Sequence, residues 1–334
     1  MPSEYSRQVD SKDSLWRLKS MSVCQQPRAI GRAMMPSAWT TLALGGVLLS
    51  AIGCGGSSGS LAGSASGTAA LATDASGQVV RSASGAAISR DAEKRFKRAF
   101  KRFKKVEESA EGWNEGLCSD VSEAFSDAND EQGGKLAEAI YMAGLSLDRC
   151  GERADALKWY RKAVEVDAKM CRAHVGIGLD HVANGRDDQA MAAFKRAVSG
   201  RCAEGYVNLG ILEMAQDGAQ SKDAENNLRR ALAFDSNFLP AFNQMALLFL
   251  ERAEKEKKKL DLAQVVCQQA VKIDADYAPI YNTWGLIKLR NEELFDALRM
   301  FERAFQLDPT MFEAHMNFGH ITLNFRGYQD AKRA

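Results

Sequence analysis

The chain has almost no net charge: 44 Lys and Arg stand against 43 Asp and Glu in 334 residues, for a formal +1. That balance excludes a partner held by the field of the whole protein, so any electrostatic contact must be local. Histidine is scarce, with four residues (His174, His181, His315 and His320). No Ser/His/Asp arrangement or paired-carboxylate motif stands out, which speaks against an enzyme. The nearest approach to a nucleotide fingerprint, Gly176-x-Gly178, runs on into Asp180 and His181 and has no strand before it. Long hydrophobic runs are missing too. The most apolar stretch, Ala38–Ile52, contains Gly45 and Gly46, follows Pro36, and falls short of the ~20 residues that span a bilayer. Prolines number only six.

What is present is a grid. Gly178, Ala190, Phe194 and Ala197 recur as Gly285, Ala297, Phe301 and Ala304, with internal spacings of 12, 4 and 3. With the small residue numbered position 8, the column reads Gly144, Gly178, Gly210, Ala246, Gly285 and Gly319. Position 20 is Ala156, Ala190, Ala297 and Ala331, and Ala224 and Ala263 take that place after insertions in the third and fourth units. Position 24 carries Tyr160, Phe194, Leu228, Cys267 and Phe301, and position 27 carries Ala163, Ala197, Ala231, Ala270 and Ala304. This grid resembles the tetratricopeptide (TPR) repeat, a helix–turn–helix unit of about 34 residues. The resemblance implies an all-α fold, a TPR superhelical solenoid of antiparallel helix pairs, with units at 137–170, 171–202, 203–238, 239–277, 278–311 and 312–334. Only the fifth unit ends on the family's proline, Pro309; others end on Val166-Asp167, Phe234-Asp235 and Ile273-Asp274. The sixth is incomplete, because the chain stops three residues past Ala331, and it reads as a fragment.

Ahead of the repeats, residues 34–53 have the shape of an export signal. Leu49-Ser50-Ala51-Ile52-Gly53-Cys54 resembles the bacterial lipobox, with Ala51 where leucine is usual. The resemblance implies cleavage before Cys54 and a covalent lipid on its thiol; no other cofactor and no metal is expected. Residues 1–33 read as an N-terminal extension; a start at Met21 would give the signal Arg28 and Arg32 as its basic region. Residues 54–90 are mostly Gly, Ser, Ala and Thr. Such a stretch buries little apolar area against its ordering entropy. It reads as a disordered tether averaging roughly 30–35 Å in span.

Residues 91–136 form a charged helical hairpin. Phe96, Ala99, Phe100, Phe103 and Val106 make an apolar stripe at helical spacing. Lys94, Arg95, Lys97, Arg98, Lys101, Arg102, Lys104 and Lys105 crowd the opposite face. That face suits anionic lipid headgroups, an acidic partner, or plain solvent around an end-capping helix.

Export permits disulfides. In TPR register Cys171 is position 1 and Cys202 position 32 of one unit, ends that antiparallel helices bring together. Cys150 ends helix A of the first unit, near the preceding helix that holds Cys118. The expected pairs are therefore Cys118–Cys150 and Cys171–Cys202, with Cys267 a buried free thiol in the aromatic column.

In TPR proteins the A helices line a concave groove. Position 6 supplies Asn208, Gln244, Thr283 and Asn317, and position 5 supplies Tyr141, Val175, Asn243 and Asn282. Beside them stand Leu179, Ile211, Leu247, Leu286 and His320 at position 9. A polar row flanked by apolar side chains suits a segment of another protein. Position 5 carries no lysine, so the carboxylate clamp of chaperone-type TPR domains is not expected. Repeat register also accounts for His174 and His315, which share position 4.

The order of lipobox, Ser/Gly tether, Trp113…Cys118 hairpin, Tyr141…Cys150 and TPR units resembles the TPR lipoproteins of myxobacterial gliding-motility machines. It implies a non-catalytic scaffold in the cell envelope, an outer-membrane lipoprotein facing the periplasm. Its partners would be other envelope or motility-complex proteins and the membrane, with no nucleic acid and no small-molecule substrate. The alternatives are a pilotin-type assembly factor for outer-membrane or pilus components, and a regulator of a cell-wall enzyme.

Overall fold

The computed structural model describes residues 70–325, apart from 75, 76, 83 and 110. Cys54, the signal at 34–53, the extension before it and the residues around Ala331, where the sixth unit's second helix is expected, lie outside the described residues. Thirteen α-helices occupy the described chain, in two compact units divided between Met170 and Cys171.

The first unit contains α1 (Arg90–Glu107), α2 (Glu115–Glu131), α3 (Ala137–Asp148) and α4 (Arg153–Val166), each packed on the next. Ser89 caps α1 by accepting from the Ala92 N–H, with Asp91 and Glu93 in the first turn and Lys104 and Lys105 in the last. These charges match the helix dipole at both ends. Phe103 and Phe125 are fully buried between α1, α2 and α3. The Trp113 ring closes over Phe103 at 5.0 Å. Glu107 accepts from Trp113 Nε1 at 2.8 Å and from Arg149 Nε at 2.7 Å, tying α1 to the end of α3 beside Cys150.

One expectation fails here. The tether read as running to residue 90 is ordered over its described part. Ala72 N–H donates to Ile88, Val80 to Ala72 and Ile88 to Val80, at 2.8, 2.9 and 3.0 Å. Three short segments thus close a hydrogen-bonded ring, with turns at Gly77 and Gly85, both at positive φ. Gln132 clamps the ring, accepting from Ser89 N–H and donating to the Ala87 carbonyl, both at 2.9 Å. Ala72 is wholly buried, and Ile88 packs with Ala92, Ala128, Leu136 and Ala139. A signal was present: Ala75-Ser76-Gly77 recurs eight residues on as Ala83-Ser84-Gly85.

The second unit stacks α5 (Cys171–Ala183) on α6 (Asp187–Ser199), α7 (Ala203–Asp217) on α8 (Lys222–Phe234), α9 (Leu239–Arg252) on α10 (Lys259–Ile273) and α11 (Ala278–Arg290) on α12 (Leu294–Leu307), and ends with α13 (Phe312–Phe325). The small-residue columns hold the helix pairs together in both units. Ala163, Ala197, Ala231, Ala270 and Ala304 are all fully buried, as are Ala190, Ala224, Ala263 and Ala297. Burial of Ala224 and Ala263 places the two insertions in the α7–α8 and α9–α10 turns. A Cβ on Gly178 would collide with the Phe194 ring, and one on Gly285 would stand 2.5 Å from Phe301 Cε1. Glycine is required there because the ring needs the space above the helix backbone.

The scarcity of proline at unit ends has a counterpart. Asp167, Asp235, Asp274 and Asp308 each follow a second helix of a pair, and each carboxylate accepts from the backbone N–H two residues on, at 2.8–2.9 Å. These turns redirect the chain through a side chain that mimics backbone. Arg252 joins the two insertions: Nε donates to the Ala219 carbonyl at 2.6 Å, one terminal nitrogen donates to the Ser221 carbonyl at 3.0 Å, and the other pairs with Glu225. Burial opposes charge on Glu225, but the Arg252 hydrogen bond and charge outweigh it and hold the carboxyl below its usual range.

Candidate partner-binding surface

The A helices of the second unit touch in series, α5 with α7, α7 with α9 and α9 with α11. They present one continuous face of position 5, 6 and 9 side chains. Tyr141 belongs to the first unit, where it stacks on Tyr160 at 5.6 Å.

Most of the polar row read as peptide-facing is engaged inside the stack. Thr283 Oγ1 donates to Asn243 Oδ1 at 2.7 Å, joining α11 to α9. Asn317 Nδ2 donates to Asn282 Oδ1 at 2.9 Å, joining α13 to α11. Asn208 Nδ2 donates to the Glu204 carbonyl one turn back, at 2.8 Å. Asn208, Asn243, Gln244, Asn282 and Thr283 are all buried. The physical reason is spacing: neighbouring A helices lie close enough for their amides to reach each other. Val175, Leu179 and Leu247 are buried as well, whereas Ile211, Leu286 and Asn317 are half-exposed and His320 is exposed. Gln244 is fully buried, and neither end of its amide has a hydrogen-bond partner among the described residues. The ladder thus sets the distance between helices, and the residues left to meet a partner are Ile211, Leu286, Asn317 and His320.

The ladder carries a stability prediction. Asn243→Ala leaves the Thr283 hydroxyl buried without its acceptor, a loss of about 1–3 kcal/mol. Chemical denaturation should show that loss for the single variant and a smaller one for Asn243→Leu with Thr283→Val.

The five cysteines of the described chain are placed as follows. Cys118 is bonded to Cys150, and Cys171 to Cys202, with Cα–Cα separations of 6.3 and 6.2 Å. Each bridge ties elements of a single unit. Cys267 is free and lies on the buried face of α10, and burial pushes its thiol up to about 12 from an ordinary value near 9. A raised thiol pKa means the folded state keeps a proton that the unfolded chain loses. The resulting stability is complete below pH 9 and disappears as pH rises toward 12. Unfolding midpoints measured across that window should therefore fall less steeply for Cys267→Ala than for the parent.

His174 is buried, and the His315 ring stacks on Phe305 at 4.5 Å with Nε2 3.1 Å from the Pro309 carbonyl. Among the described residues no group of three or more His, Cys, Asp or Glu is placed to hold a metal ion. No described helix is long and apolar enough to cross a membrane.

Helix pairs in series, small residues at every crossing and an A-helix face define a TPR solenoid, a fold that commonly binds peptides or other proteins. The tetratricopeptide-repeat family model matches residues 137–170. Among solved structures, the type IV pilus biogenesis factor PilW is similar at 16% identity, over 68% of this chain and 98% of that one, with a TM-score of 0.51. The Cut9–Hcn1 hetero-tetramer of APC/C is similar at 15% identity over 72% of this chain and 50% of that one, with a TM-score of 0.52. YrrB, a TPR protein with an unusual peptide-binding site, shares 24% identity over 58% of this chain and 96% of that one, at a TM-score of 0.39. Curated proteins give no significant match. The chain thus carries a tetratricopeptide repeat at 137–170 and has the fold of a TPR solenoid.

Proposed function

We propose that this protein is a non-catalytic scaffold of a bacterial envelope complex, exported and tethered to the outer membrane by a lipid on Cys54, and that the complex is a gliding-motility machine. The observation that carries the export reading is the pair of disulfides, Cys118–Cys150 and Cys171–Cys202. Disulfides persist in oxidising compartments and are rare in the cytosol. They support a chain that passes the inner membrane, as the lipobox resemblance implies. The motility assignment draws on the Trp113…Cys118 and Tyr141…Cys150 arrangement, whose two cysteines form the first disulfide.

A second reading, an assembly factor for pilus components, is favoured by the likeness to nearly the whole of PilW. Deletion of the gene separates the two. Loss of gliding with pili intact supports the first, and loss of pili with gliding retained supports the second. A strain that keeps both overturns both. Changing Ile211 and Leu286 to Ser should reproduce the deletion phenotype while leaving helicity unchanged, if the A-helix face holds the partner.

A further inference from the structure

The cations of α1 are not equivalent. Arg95 pairs with Glu131 at 3.1 Å, Arg102 with Asp120 at 2.7 Å and Lys97 with Glu93 at 2.5 Å. Lys104 lies 5.8 Å from the Phe100 ring centroid. The remaining four, Lys94, Arg98, Lys101 and Lys105, are exposed, and among the described residues none pairs with a carboxylate. Their spacing of 4, 3 and 4 puts them on one line of the helix, about 16 Å long at 1.5 Å per residue. Acids on this side stand only at the ends, Asp91 before the line and Glu108 after it. The paired cations flank the line, where Asp120 and Glu131 of α2 hold Arg102 and Arg95.

The second observation is where the chain joins this helix. Arg90 N–H donates to the Ala70 carbonyl at 2.8 Å, and Arg90 Nε donates to the Leu71 carbonyl at 3.0 Å. The first described residue is therefore pinned to the first residue of α1, one turn from Lys94. Only 16 residue steps separate Cys54 from Ala70, a reach of at most about 55 Å. An anchor at Cys54 thus delivers the chain to the head of the basic line.

We propose that the Lys94–Arg98–Lys101–Lys105 line is a membrane-docking surface that lies on anionic phospholipid headgroups of the bilayer holding the anchor. Its location beside that bilayer rests on the lipid-anchor reading; its affinity for anionic headgroups does not. A lipid anchor and a basic patch act together more firmly than either alone. Docking α1 flat would hold the first unit against the bilayer.

The test uses the full chain carrying Cys54→Ser, which removes the acylation site, in sedimentation with vesicles of phosphatidylglycerol and phosphatidylcholine or of phosphatidylcholine alone. Binding should require phosphatidylglycerol and weaken as salt rises. It should drop about tenfold or more when Lys94, Arg98, Lys101 and Lys105 are all changed to Gln, which retains helix propensity. Changing Lys255, Lys257 and Lys258 to Gln, in the exposed α9–α10 turn, should leave binding intact. Equal sedimentation of the parent and the four-residue variant overturns the proposal. So does vesicle binding indifferent to lipid charge, or loss of a protein cross-link in the four-residue variant with lipid binding unchanged, which assigns the line to an acidic protein. Failure of the anchor is read separately. A chain purified from membranes that keeps the residues before Cys54, or carries no lipid on Cys54, sinks the lipobox, whatever the vesicles show.

Discussion

Replacing Cys171 and Cys202 together by Ser should lower the unfolding free energy of the second unit by about 3–4 kcal/mol. The bridge closes a loop of 31 residues, and the chain-entropy relation gives a loss of that size for a loop of this length. The Cys118–Cys150 bridge, with a separation of 32, should matter as much to the first unit. The effect is large because each unit is a stack without a central core, in which each helix pair depends on its neighbours. Cys171 opens α5 and Cys202 caps α7, so the bridge joins the starts of two consecutive A helices. Denaturation of the Cys171/Cys202 variant should match denaturation of the parent in reductant once Cys118 and Cys150 are also replaced in both. A variant as stable as the oxidised parent would show that the bridge adds nothing.

Phe301→Ala should cost about 3–5 kcal/mol, in the range for removing a buried aromatic ring. The ring is fully buried beside Ala297, Leu298 and Ile321 and lies directly over Gly285. It thus joins α12 to α11, and Ile321 brings α13 to the same cluster. Phe194 holds the same station over Gly178. The complementary change, Gly285→Ala, gains about 1 kcal/mol of helix propensity but forces the ring to move, at about 1–3 kcal/mol. A net loss is expected. Thermal or denaturant unfolding that left Gly285→Ala more stable than the parent would contradict the ring-over-glycine packing.

Those two substitutions also show why this part of the fold was legible. A small residue at position 8, an aromatic at 24 and alanine at 20 and 27 are each required by one contact between two adjacent helices. The requirement repeats wherever the pair repeats, so a column survives insertions, as Ala224 and Ala263 do. The cysteine positions followed from the same register. The segment at 70–89 left only the faint trace of its repeated Ala-Ser-Gly, because its order is not hydrophobic periodicity. It depends on a backbone ring and on Gln132, 43 residues from Ser89. The polar row was legible as a row and misread as a surface. Asn243 and Thr283 stand 40 residues apart, and nothing local to either says that neighbouring A helices come within hydrogen-bond reach. Absorbing those amides into the stack narrows the candidate binding surface to Ile211, Leu286, Asn317 and His320, half-exposed or exposed side chains that a partner can reach.

Mass spectrometry of the non-reduced protein purified from membranes tests the central claim, an exported and tethered scaffold, most directly. The account predicts a chain beginning at an acylated Cys54, with Cys118 linked to Cys150, Cys171 linked to Cys202, and Cys267 alkylated only after unfolding. A chain that keeps the residues before Cys54, or one in which Cys118, Cys150, Cys171 and Cys202 are all alkylated without reduction, would contradict it.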